Sequence, residues 1–124
     1  MKALIVDDSR AIRMILKKFL VSQGFDTFVE AGNGQEALDR LSESGVADLA
    51  LVDWNMPVMD GLQLVGAVRE NKGFDAMRLV MVTTESESTQ MQRAIDAGAS
   101  GYITKPFTTE TLREKLQALG FKSP

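Results

Sequence analysis

Apolar residues in this chain gather in five short runs closed by polar or turn-forming residues, and helix-spaced apolar stripes fill the intervals between them. The clearest run, Leu49-Ala50-Leu51-Val52, has no polar interruption. That predicts a strand buried on both faces, as in a parallel sheet. Ala3 to Val6, Phe25 to Val29, Leu79 to Val82 and Gly101 to Ile103 predict four more strands, with Glu30 to Gly34 as a loop. Ile12, Ile15, Leu16, Phe19 and Leu20 recur at helical spacing, with Arg13, Lys17 and Lys18 on the other face. Asp8 or Ser9 can cap that helix, and Gly24 suits its end. Asn33 and Glu36 are spaced as a capping box ahead of Ala37, Leu38 and Leu41. Leu64, Val65 and Val68 mark a third helix after Asp60-Gly61, and Gly66 inside it costs roughly 1 kcal/mol relative to Ala. Met91, Ala94 and Ile95 predict a fourth helix ending at Gly98. Leu112, Leu116 and Leu119 predict a fifth, ending at Gly120.

Five strand-helix alternations imply an α/β fold: a doubly wound, five-stranded parallel sheet with helices on both faces. Ligands of such sheets bind at the loops that follow the strands. Asp7, Asp8, Asp53, Thr83 and Lys105 all stand at that predicted edge.

Composition narrows the chemistry. The 124 residues suit one domain, expected over 1–124 without an output domain. A net charge of -3 argues against a nucleic-acid footprint. The chain has no His and no Cys, which excludes imidazole bases, imidazole and thiolate metal ligands, and disulfides. Acids arrive too early for a signal peptide, and no apolar run reaches membrane length. A cytoplasmic protein is expected.

Three clustered carboxylates repel unless a cation neutralises them. Oxygen-only donors favour Mg²⁺ or Ca²⁺. Asp8 and Asp53 can be direct ligands, with Asp7 acting through water. A carboxylate can also accept a phosphoryl group, whose oxygens Lys105 and the Thr83 hydroxyl can hold. Each residue alone has an ordinary structural role as a cap, a strand end or a surface charge. Five of them at the ends of four strands form a pattern that those roles do not explain.

The chain resembles the receiver domain of two-component response regulators, closest to the single-domain chemotaxis type. The resemblance rests on Val6-Asp7-Asp8-Ser9, the stretch from Asp53 to Gly61, Thr83-Thr84-Glu85, and Ala97 to Phe107. It implies a flavodoxin-like sheet of order 2-1-3-4-5, an order known for this fold rather than read from the chain. It also implies Asp53 as phosphoryl acceptor from a histidine kinase. Asp7 and Asp8 would hold Mg²⁺ with Asp53 and the Asn55 backbone carbonyl, and Lys105 would pair with the phosphoryl group. Thr83 and Tyr102 would be the switch, the latter swinging inward, and the Lys105-Pro106 bond would be cis. Asn55, Thr84 and Glu85 would modulate turnover. Thr84 is bulkier than the small residue this family usually carries there. The implied readout face is the fourth helix, fifth strand and fifth helix, in a monomer able to pair once phosphorylated. The acidic Glu85 and Glu87 point to a basic or polar partner patch.

Three other readings compete. A phosphatase with an aspartyl nucleophile generally needs a second acid two positions on, where Asn55 stands. A flavodoxin-like nucleotide or flavin binder needs a Gly, Ser and Thr-rich loop after the first strand, where Asp7-Asp8-Ser9-Arg10 is acidic. A receiver used only for docking has no need of all five residues.

Overall fold

The computed structural model describes residues 1–84 and 87–121. Its elements are β1 (Lys2–Val6), α1 (Arg10–Ser22), β2 (Thr27–Ala31), α2 (Gly34–Ser44), β3 (Leu49–Val52) and α3 (Gly61–Glu70). A short 3-10 turn at Lys72–Phe74 precedes β4 (Arg78–Thr83), α4 (Ser88–Ala97), β5 (Gly101–Thr104) and α5 (Thr109–Ala118). The five strands are all parallel, in the order β2-β1-β3-β4-β5.

Alternation along each strand divides the core. Ala3, Ile5, Leu49, Leu51, Val80, Val82 and Ile103 pack with Leu16, Phe19 and Leu20 of α1 and Leu112 and Leu116 of α5. Leu4, Val6, Ala50, Val52, Leu79, Met81 and Tyr102 pack with residues of α2, α3 and α4. A strand buried on both faces has no polar side to show, which is why Leu49 to Val52 reads as an unbroken apolar run.

Caps set the element ends. Ser9, rather than Asp8, caps α1 by accepting from the Ile12 N–H at 3.3 Å. Asn33 accepts from the Glu36 N–H at 2.9 Å, but the Glu36 carboxylate lies 3.6 Å from Arg40. The reciprocal capping box is found instead at α3, between Asp60 and Gln63.

Three expectations need correction. β2 starts at Thr27, not Phe25, and includes Glu30 and Ala31. The reason is local. Gly24 takes φ 94, its N–H donates to Val21 O, and the Phe25 N–H donates to Leu20 O, closing a Schellman motif at the end of α1. Phe25 is the apolar contact of that motif and meets Phe121 at a tilt, 5.6 Å between ring centroids. Ile15 is exposed, because the buried stripe of α1 runs through Leu16, Phe19 and Leu20 and leaves Ile15 on its flank. Ile95 is also exposed: α4 packs on the core through Ala94, its one fully buried residue, flanked by the partly buried Met91 and Ala97.

Candidate functional site

The sheet ladder itself assembles the site. Val6 of β1 pairs with Val52 of β3, and one residue further on the Asp53 N–H donates to Val6 O at 2.8 Å. The Asp7 N–H donates to Ala31 O at 3.1 Å. On the other side Thr83 pairs with Thr104, and the Lys105 N–H donates to Thr83 O at 2.8 Å. Four strands therefore deliver Asp7, Asp53, Thr83 and Lys105 to one edge. The chain leaves β1 for β2 on one side and returns to β3 on the other, so Asp7 and Asp53 flank the point where the winding reverses. That crevice is where open α/β sheets bind ligands.

Asp7, Asp8 and Asp53 each bring a carboxylate oxygen to within 4.8 Å of the others. Asp7, Asp53 and Thr83 are buried, and Asp8 is exposed. Lys105 Nζ donates to Asp7 Oδ2 at 2.9 Å and lies 3.5 Å from Asp53 Oδ2. Asp53 Oδ1 accepts the Trp54 N–H at 2.8 Å, and Asp7 Oδ1 accepts the Ser9 N–H at 2.8 Å. Burial pushes the Asp53 carboxyl above its ordinary value of 3.8. Lys105 pulls it back, the Asp7 charge pushes it up further, and hydrogen bonds from the Trp54 N–H and the Thr83 hydroxyl lower it.

The Asp53 carbonyl is boxed in from behind. A Cβ at Gly61 would fall 2.2 Å from Asp53 O, so only glycine fits there. The Gly61 N–H also donates to Trp54 O at 2.8 Å. Between them, Val58 takes φ 69 and the Met59 N–H reaches Pro57 O at 2.8 Å, a γ-turn that is strained for a β-branched residue.

The donor set fits a hard cation. Three carboxylates converge with no nitrogen or sulfur ligand, which is the chemistry Mg²⁺ takes. Asn55 is exposed on the loop after Trp54, and Thr84 is exposed beside the Thr83 strand end. Glu85 lies outside the described residues. Tyr102 is already inward, in the apolar cluster on the α2, α3 and α4 side, and the Lys105-Pro106 bond is cis.

A family model for the response regulator receiver domain matches residues 3–117. The chain belongs to the response regulator receiver family. Among curated relatives of this receiver, a chemotaxis protein CheY homolog of Campylobacter jejuni is 44% identical over 117 residues, covering 94% of this chain and 90% of that protein. Chemotaxis protein CheY1 of Helicobacter pylori is 40% identical over 119 residues, covering 96% of each. Among solved structures, the chemotaxis response regulator CheY4 of Vibrio cholerae superposes with a TM-score of 0.86 at 36% identity, covering 95% of this chain and 97% of that one. Such receivers are signalling proteins rather than classical enzymes.

Two functional-looking residues of this receiver escape a reading of the sequence. Arg13, expected on the solvated face of α1, is half-buried: Nη1 donates to Asp7 O and Nε pairs with Glu30 Oε1 at 3.2 Å. Its signal is present, since Arg13 lies in the same i, i+3, i+7 row as Leu16 and Leu20. Arg69 at the end of α3 donates to the carbonyls of Gly98, Phe74 and Met77, at 2.9, 2.9 and 2.8 Å. No spacing rule pairs an arginine with three distant carbonyls, so Arg69 carries no comparable signal.

Proposed function

We propose that this receiver is a phosphorylation-activated switch of a two-component system that operates in chemotaxis. The carrying observation is one acid, Asp53, buried at the sheet's switch point between an acidic pair and a lysine. The relatives' names supply the pathway. Residues 1–124 act as one receiver unit in the cytoplasm.

In this reading an Asp53 carboxylate oxygen attacks the phosphorus of a histidine kinase phosphohistidine. The P–N bond breaks, an acyl phosphate P–O bond forms, and the imidazole leaves. Asp8, Asp53 and the Asn55 carbonyl would hold Mg²⁺, with Asp7 acting through water, and a bound ion would supply charge neutralisation for the acids and the incoming phosphoryl group. Lys105, already tethered to Asp7 and near Asp53, turns to the phosphoryl oxygens. The buried Thr83 hydroxyl, which hydrogen-bonds Asp53, follows the new acceptor. A phosphate adds about -1.5 to -2 charge, enough to reorganise both groups. Tyr102, buried in the cluster on the α2, α3 and α4 side of the sheet, passes the change to the face made by α4, β5 and α5, which binds the target. The chain's only other chemistry is loss of its own phosphoryl group, modulated by Asn55, Thr84 and Glu85. It works as a monomer able to pair once phosphorylated.

The test is a mass spectrum after incubation with acetyl phosphate and Mg²⁺. One added phosphoryl group that is absent in Asp53→Asn supports the switch. No addition in the parent protein leaves a docking-only receiver and overturns the reading.

A further inference from the structure

Asp8 is the exposed member of the acidic cluster, yet a metal ligand must be aimed. Its direction comes from the backbone on either side. The Ser9 N–H, on the peptide after Asp8, is held by Asp7 Oδ1 at 2.8 Å. The Asp7 carbonyl oxygen, on the peptide before Asp8, is held by Arg13 Nη1. A peptide unit is planar, so with its two Cα atoms placed by the chain, holding the carbonyl oxygen sets the plane. With both flanking planes held, the Cα–Cβ direction of Asp8 is set without any contact of its own carboxylate.

Arg13 is itself aimed. Its Nε pairs with Glu30 Oε1 on β2 at 3.2 Å, and its side chain is only 17% exposed. A guanidinium presents several donors in a rigid fork, so it can grip a carboxylate with one nitrogen and a carbonyl with another. Glu30 pairs with Ile5 across the ladder, which ties the fork to the sheet. The chain of support runs from β2 through Glu30 and Arg13 to the Asp7-Asp8 peptide.

We propose that Arg13 is a positioning residue for the cation site: by holding the plane of the Asp7-Asp8 peptide it aims the Asp8 carboxylate at a divalent ion. This rests on the metal reading given above. Outer-shell partners that orient ligands contribute strongly to metal affinity without touching the ion. A brace that only joined α1 to β2 would instead contribute equally to the metal-free and metal-bound protein.

The experiment titrates the full chain with MgCl₂ alone and follows Trp54, the single tryptophan, which adjoins Asp53. Thermal melts without metal accompany each variant. Arg13→Met, which removes both contacts and keeps an apolar stem, is expected to weaken Mg²⁺ binding about tenfold. Glu30→Gln removes the charge but keeps a side-chain oxygen to accept from Arg13 Nε and so keeps the brace, and it is expected to hold Mg²⁺ affinity within about twofold of the parent. Parent-like Mg²⁺ affinity in a folded Arg13→Met overturns the proposal. So does Glu30→Gln losing as much affinity as Arg13→Met. Should Arg13→Met fail to fold, Arg13→Lys decides: weakened Mg²⁺ binding at a parent-like melting temperature supports the role, and parent-like binding overturns it. A parent protein that does not bind Mg²⁺ at all overturns the metal assignment, and this inference with it.

Discussion

Lys105 Nζ sits closer to Asp7 than to Asp53, at 2.9 Å against 3.5 Å, although Asp53 is the acid raised above its ordinary pKa. One ammonium thus serves two buried carboxylates and is bonded to Asp7, not to the proposed phosphoryl acceptor Asp53. Removing it leaves both acids uncompensated. A carboxyl whose folded pKa exceeds its unfolded value penalises the fold once it ionises. The penalty is absent below about pH 3.8, where both states are protonated, and grows as pH rises through the raised folded value. Lys105→Met raises that value further. Urea unfolding should show the variant about 2 kcal/mol less stable at pH 7. The deficit should shrink toward pH 4 and recover in part when Asp53→Asn is added.

The acidic cluster predicts stabilisation by metal. A ligand present at a hundred times its dissociation constant adds about 2.7 kcal/mol to the folded state. Melts with and without millimolar Mg²⁺ should separate in the parent protein. Asp8→Ala should collapse the two curves, while melting no lower than the parent in the absence of metal, because one of three mutually repelling acids is gone.

Two glycines of α3 make opposite predictions. Gly61→Ala drives a methyl group to 2.2 Å from Asp53 O and must displace the acceptor loop, costing on the order of 3 kcal/mol. Gly66 has no atom within 4 Å of a built Cβ, so Gly66→Ala should stabilise by about 0.5 to 1 kcal/mol. Denaturant midpoints measure both. Only Gly61→Ala should also slow phosphorylation.

Thr84 stands exposed just past the β4 end and lines a hollow with Ile12, Ile15, Lys105, Pro106 and Phe107. If Thr84 gates access to Asp53, Thr84→Ala removes that bulk. Quenching of Trp54 on addition of acetyl phosphate should become a few-fold faster. An unchanged rate removes steric gating from Thr84.

Much of this was legible in the sequence because the fold is written in short-range patterns. A doubly buried strand reads as an unbroken apolar run, and an acid at its end needs no further information to be placed at the sheet edge. That reasoning located Asp7, Asp53, Thr83 and Lys105. It failed where helix-end geometry or distant chain sets a residue's environment. Phe25 looks like strand and is a helix-end contact. Ile15 and Ile95 look like core and are exposed, because the layer above each is narrower than the stripe. Arg13 and Arg69 look like solvated charges and are half-buried braces on backbone carbonyls, since a carbonyl leaves no mark in the sequence of its donor. Glu85 lies outside the described residues.

The two ends of α4 are fastened very differently. Its far end closes at Gly98, whose carbonyl is gripped by Arg69. Its near end begins at Glu87, whose side chain makes no capping bond, and the helix buries Ala94 alone. The Gly98 end of α4 is thus held more firmly than the Ser88 end, where Met91 is only partly buried against the core. In the proposed switch, a partner seated on Ser88 to Met91 is expected to sense a rearrangement at Thr83 more than one seated on Ala97.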